Sequence, residues 1–250
     1  MQVIVDSLIT HYDKQGSANK YILLLHGWGD TLLTFEKLQK DLSRDYTVVS
    51  VDLPGFGDTQ IPPEVWELDD YADFVRLFLQ KIGVKKLHAV VGHSNGGALA
   101  LRAVSTKKLM PQKLILIAAS GIRNKNGVRK LVIKIVAKTG KGILFWLPNK
   151  YKRALQKRLY GVVGSDMLVA PHMQETFKKT VKQDVQSDAA SINVETLLMY
   201  GSSDTATPVK FGEIYQKIIK DAKLEVVNAG HFIHQEEPTL TYNKIKEFLC

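Results

Sequence analysis

A short, mostly apolar run at residues 87–91 meets Gly92-His93-Ser94-Asn95-Gly96-Gly97 and passes into a helix-like stretch at 98–104. A chain with this join must turn sharply from a buried strand into a helix. Glycines at 92 and 96 let the two elements pack close around a strained turn that leaves Ser94 at its tip. The position has chemical weight. A serine hydroxyl is a poor nucleophile in water, and an enzyme that uses one holds it clear of the backbone, beside a base and beside hydrogen-bond donors. Any Gly- and Ser-rich strand-to-helix turn imitates G-x-S-x-G, so the reading as a nucleophile elbow needs support elsewhere in the chain.

The same strand-then-helix order recurs along the chain. It predicts an α/β fold with a mostly parallel, doubly wound sheet of about eight strands, covered on both faces by helices. Residues 3–8 and 9–13 read as an antiparallel edge pair, followed by strands at 21–25, 47–51, 87–91, 113–118, 195–200 and 223–227. Helices are expected over 32–43 with Asp30-Thr31 as a cap, over 70–82 with Asp69-Asp70 near its start, over 208–220 with Pro208 in its first turn, and from Pro238 onward. No internal repeat or low-complexity linker interrupts the pattern. Ligands in open α/β sheets bind beyond the carboxyl ends of strands, which is where the Ser94 turn falls.

Four further segments follow strands. Tyr21–Leu25 ends in His26-Gly27-Trp28-Gly29, and the strand at 48–51 runs into Asp52-Leu53-Pro54-Gly55-Phe56-Gly57. The strand at 196–200 leads to Gly201-Ser202-Ser203-Asp204, with Pro208 beyond it, and Ala229-Gly230-His231-Phe232 closes the set. Together with the elbow, these segments resemble the α/β-hydrolase superfamily, in particular its capped serine hydrolases of esterase and lipase type. The resemblance covers both ends of the chain. It implies a core formed by 1–120 and 191–250, with residues 121–190 as an inserted helical cap.

The family order of serine, acid and histidine is matched by Ser94, Asp204 and His231. In that scheme His231 takes the proton from Ser94 as it attacks a carbonyl carbon, and Asp204 fixes the imidazole tautomer. The implied oxyanion donors are the main-chain N–H groups of Asn95 and Trp28. The Trp28 side chain either walls the acyl pocket or simply packs. Phe232, next to His231, joins it as a candidate substrate-binding residue.

Other residues compete for these roles. Asp52 also follows a strand, but in Asp52-Leu53-Pro54-Gly55 it reads as a turn former bonded to nearby backbone. Of the seven histidines, His88 lies inside a strand and His26 and His93 flank turns, where hydrogen-bonded structural roles suit them better than base catalysis. His234 rivals His231, yet the Gly230-His231 pair puts His231 on a loop after the last strand, from which a base can reach inward. Gly55 and Gly57 imitate part of a nucleotide loop and lack its third glycine.

Composition narrows the class. Hydrophobic residues at 45% and charged residues at 24% suit one large soluble core. With no apolar run of about 18 residues and no basic-then-apolar start at Met1-Gln2-Val3-Ile4-Val5-Asp6, the expected location is cytoplasmic. Cys250 is the one cysteine, which leaves no pair for an intramolecular disulfide, no Cys-based metal site and no C-a-a-X box. Neither a metal nor a cofactor is expected.

The insertion has its own signature. Residues 121–190 hold 15 Lys and Arg against 4 Asp and Glu, a balance of +11, whereas the rest of the chain holds 19 against 21. From Arg123 to Arg158 there are 12 basic residues and no acidic one. Val128, Leu131, Val132 and Ile135 fall on one helical stripe, and Lys130, Lys134 and Lys138 repeat at i, i+4 on another. One reading is a solvated face above an apolar stripe that covers the pocket. The other is a docking site for an anionic partner, such as a membrane surface, an acidic acyl carrier or a phosphate-bearing substrate. Within Ile143-Leu144-Phe145-Trp146-Leu147-Pro148, Phe145 and Trp146 are candidate substrate-binding residues, with plain cap packing as the alternative. Few aromatics interleave with the basic residues and no recognised motif accompanies them, which argues against nucleic acid.

The expected activity is hydrolysis of carboxylic esters of small or acyl-chain substrates through an acyl-enzyme. Ser94 at the elbow argues against the dehalogenase and epoxide hydrolase branches, whose nucleophile is a carboxylate. Thioesterases, lipases and C–C bond hydrolases or lyases use the same triad, and a slow-turnover ligand receptor retains it. The choice among them lies in cap geometry rather than in these motifs. No feature sets an oligomeric state.

Overall fold

The computed structural model describes residues 1–123 and 170–250. Eight strands form one sheet: β1 (Gln2–Val5), β2 (Leu8–Gln15), β3 (Tyr21–Leu25), β4 (Thr47–Val51), β5 (Leu87–His93), β6 (Pro111–Ile117), β7 (Glu195–Gly201) and β8 (Ala222–Val227). Their order is β1-β2-β4-β3-β5-β6-β7-β8. β2 pairs antiparallel with β1 and β4, and every other pairing is parallel. The expected doubly wound α/β sheet is therefore present.

Neighbouring residues in the central strands point to opposite faces, so each strand feeds two cores. On one side, Leu23, Leu25, Val90 and Leu116 pack with Tyr71, Phe74 and Phe78 of α2 (Leu68–Lys81) and Leu99 of α3 (Asn95–Ser105). On the other, Ile22, Leu24, Val91 and Ile117 pack with Leu38 and Leu42 of α1 (Glu36–Leu42) and with Ile245 and Leu249 of the helix Pro238–Leu249. All seven residues of β5 are buried as a result. Each such aliphatic side chain contributes roughly 1.5–3 kcal/mol relative to exposure, which makes β5 a rigid mount for the turn at its end.

Two local expectations are corrected. The strand expected over 3–8 ends at Val5, because Asp6 and Ser7 turn the chain with φ of 46° and 66°. Positive φ at both central positions matches the twist of a two-residue hairpin. The helix expected over 32–43 is a 3-10 turn, Leu32–Phe35, followed by α1. Thr31 caps the 3-10 turn by accepting from the Leu33 N–H at 3.3 Å.

The described residues on either side of 124–169 are bonded to each other. Val185 N–H donates to Gly121 O at 3.0 Å, and Arg123 N–H to Asp184 Oδ2 at 3.1 Å. The returning limb carries the 3-10 turn Pro171–Met173 and the helices Gln174–Thr180 and Gln186–Ala190. Arg102 of α3 donates from Nε to Asp188 at 2.9 Å, which docks the last of these on the core. Phe145, Trp146 and the Lys130, Lys134 and Lys138 stripe lie outside the described residues. Among the described residues, no helix is long and apolar enough to cross a membrane.

Candidate active site

β5 ends at His93 and α3 begins at Asn95, so Ser94 alone makes the turn, with φ 51° and ψ −116°. A serine held there carries strain on the order of 1–3 kcal/mol, which persists only where the surroundings over-determine it. They do so through close backbone approach. A Cβ on Gly92 would lie 2.5 Å from Gly96 O, and one on Gly96 only 2.2 Å from Leu25 O. The elbow is thus pressed against the end of β3. A Cβ on Gly27 would lie 3.2 Å from Ser94 Cβ, so the turn bearing Gly27 and Trp28 runs directly beside the serine. The main-chain N–H groups of Trp28 and Asn95 have no acceptor among the described residues. Asn95 is the first residue of α3, where free N–H groups and the helix dipole favour negative charge.

Asp204 follows β7 and His231 follows β8, and the parallel pairing of these strands brings both residues to the same end of the sheet. Asp204 Oδ2 lies 2.7 Å from His231 Nδ1 and accepts the Thr207 hydroxyl at 2.7 Å. Its Oδ1 accepts Ala206 N–H at 2.8 Å and Thr207 N–H at 3.0 Å. Burial alone would raise the carboxyl pKa, but the His231 bond and charge, helped by the Thr207 donors, outweigh it and hold Asp204 below its ordinary range. An ionised Asp204 keeps the proton on Nδ1 and leaves the Nε2 lone pair of His231 free to act as a base. His231 itself is partly exposed, and no Ser94–His231 hydrogen bond is formed here. In unliganded sites such bonds are often long and tighten only with substrate.

The competing residues are occupied elsewhere. Asp52 accepts Leu32 N–H at 2.7 Å, Asp58 N–H at 3.1 Å and His11 Nδ1 at 2.8 Å, so it organises a turn. The donor atoms of His11, Asp52 and Asp58 lie within 4.8 Å of one another, and these bonds account for that cluster without an ion. His26 Nε2 accepts Leu53 N–H at 2.9 Å, and its Nδ1 then donates to Gly27 O at 2.8 Å. His88 is bonded to Gln112 and to Leu249 O. His234 is buried, with Nε2 3.0 Å from Thr34 Oγ1. Burial, then the nearby His231, pushes its pKa down to about 3. Of the two rival histidines, only His231 reaches Asp204.

Two participants escape the sequence reading. Thr207 supports Asp204, and its spacing three residues after an aspartate is the signal that marks it. Glu236 receives Gly230 N–H at 2.6 Å and Phe232 N–H at 3.2 Å, which clamps the backbone on both sides of His231. Phe232 is 39% exposed and its ring packs against His93 and His231. Trp28 is buried between Phe56, at 4.8 Å between centroids, and Phe177 of the helix Gln174–Thr180, at 5.1 Å. A cavity of about 830 Å³ opens beside Gly29 and Phe56, lined also by Asp30, Gln60 and His172, and does not include Ser94, Asp204 or His231.

Comparison with known proteins gives a consistent result. Residues 20–140 match the family model for the alpha/beta hydrolase fold. The hydrolase YugF of Bacillus subtilis is 23% identical over 265 aligned residues, spanning 98% of this chain and 96% of its own length. The pimeloyl acyl-carrier protein methyl ester esterase of Pseudoalteromonas atlantica is 35% identical over 106 residues, 42% of this chain and 39% of that one. Among solved structures, a bacterial membrane phospholipase A superposes with a TM-score of 0.79 at 25% identity, covering 100% of this chain and 84% of its own. Fold, chain order and relatives agree that this chain has the α/β-hydrolase fold.

Proposed function

We propose that the protein is a serine hydrolase that cleaves carboxylic esters of small or acyl-chain substrates through an acyl-enzyme. The observation that carries this reading is the 2.7 Å bond between Asp204 and His231, beside a turn that holds Ser94 at φ 51°. His231 Nε2 takes the Ser94 proton as Oγ bonds to the ester carbonyl carbon, and the carbonyl π electrons move onto oxygen. The N–H groups of Asn95 and Trp28 receive that oxyanion. Collapse breaks the bond to the alkoxy oxygen, which leaves with the proton from His231, and water then repeats the sequence to free the acid. Asp204 stays ionised throughout and stabilises the imidazolium. Trp28 and Phe232 supply the apolar walls for the acyl group. The methyl ester esterase among the relatives supports an ester as the scissile group.

A series of chromogenic esters of increasing acyl length tests this reading. Wild-type protein should turn over some members of the series. Ser94→Ala and His231→Ala should each lose on the order of 10³-fold or more in kcat, with Asp204→Asn less damaged because the acid does not itself transfer the proton. Near wild-type turnover by Ser94→Ala would overturn it.

A further inference from the structure

We propose that His93 is a positioning residue that ties the loop of the general base to the nucleophile turn, so that Ser94 and His231 keep one register. The inference rests on the serine-hydrolase reading above. His93 is the last residue of β5, is peptide-bonded to Ser94 and is 1% exposed. Its Nε2 lies 3.1 Å from the main-chain oxygen of His231. A carbonyl oxygen can only accept, so Nε2 carries the hydrogen and Nδ1 is left as a bare acceptor.

That acceptor has no partner among the described residues, and a Cβ on Gly27 would lie 3.1 Å from it. A buried, unsatisfied nitrogen is destabilising, and an apolar side chain of similar volume would avoid that cost. The ring therefore contributes something that packing alone does not, and the one bond it makes is the bond to His231. Burial, then the adjacent His234 and His231 rings, keeps its pKa well below the ordinary histidine value, so the ring stays neutral, and the carbonyl partner selects the Nε2–H tautomer.

The other ties on His231 lead elsewhere. Its side chain is bonded to Asp204, and the N–H groups on either side of it are held by Glu236. Neither tie reaches the elbow. The carbonyl bond does, since it ends one residue from Ser94. Losing it leaves an ordered base whose distance from the nucleophile is no longer fixed, and a misplacement of about 1 Å can slow a reaction on the order of 10²-fold.

The experiment compares His93→Leu with His93→Gln, whose side-chain amide can donate to the same carbonyl. Turnover of a short-chain ester and the rate at which a fluorophosphonate labels Ser94 are both followed. His93→Leu should lower kcat and labelling by roughly 10- to 100-fold with KM within about twofold, and His93→Gln should recover most of the loss. A folded His93→Leu with wild-type kcat, or a folded His93→Gln as slow as His93→Leu, overturns the proposal. Should His93→Leu fail to fold, ¹⁵N-histidine NMR of the wild type decides, with the His93 signals assigned by their absence from His93→Gln. A neutral Nε2–H ring supports the tie, and an Nδ1–H or charged ring contradicts it. Wild-type protein that is neither active nor labelled at Ser94 would instead sink the serine-hydrolase reading, which this tautomer measurement does not depend on.

Discussion

Thr207 donates to both oxygens of Asp204, from its hydroxyl to Oδ2 at 2.7 Å and from its main-chain N–H to Oδ1 at 3.0 Å. Thr207→Val removes the first donor and keeps the shape. A hydrogen bond to a charged group contributes about 1.5–3 kcal/mol, so kcat for an ester should fall at least about tenfold. Stability should shift too. A carboxyl held below its unfolded pKa contributes stability above that unfolded value and loses it as pH falls through the folded value. Losing the Thr207 donor raises the folded value, so acid unfolding should begin at higher pH. Equal kcat and an unchanged acid midpoint would contradict this role.

His234 has the same direction of linkage for a different reason. Its folded pKa is pushed down to about 3 from 6.5, because the buried ring must stay neutral. The unfolded chain binds the proton first. The contribution of His234 is therefore complete above about pH 6.5 and is lost progressively as pH falls toward 3. In His234→Gln, the urea midpoint should change less between pH 8 and pH 4 than in the wild type, whatever its absolute value. Parallel curves would show that His234 is not the buried group that must charge.

The strained turn predicts a trade between stability and function. Ser94→Gly should raise stability by about 1 kcal/mol, because glycine adopts φ 51° without the Cβ penalty. The same change should abolish ester turnover. A lower denaturant midpoint at unchanged m-value would remove the argument from strain.

Strands β3 and β4 can be read from the sequence to the residue, since runs such as Tyr21–Leu25 are buried on both faces and carry no competing period. The edge is harder. Asp6-Ser7 makes a two-residue turn without the Asn-Gly signal that usually marks one, so alternation carries the expected strand through it. Chain order picks out Ser94, Asp204 and His231, and the structure brings the last two together. Their supports are less visible. Glu236 is an exposed carboxylate of the kind a sequence assigns to solvent, although it clamps Gly230 and Phe232. The bond between His93 and the His231 carbonyl spans 138 positions, so no local pattern announces it. His93 therefore reads as a structural histidine until its partner is seen.

The most direct test of the central claim is intact-mass analysis after brief exposure to a fluorophosphonate, followed by peptide mapping. An Oγ activated by His231 and Asp204 should give a single adduct on Ser94. Ser94→Ala should give none, and His231→Ala should label on the order of 10³-fold more slowly. Wild-type protein that hydrolyses esters yet stays unlabelled, or carries the adduct on another residue, would contradict Ser94 as the nucleophile.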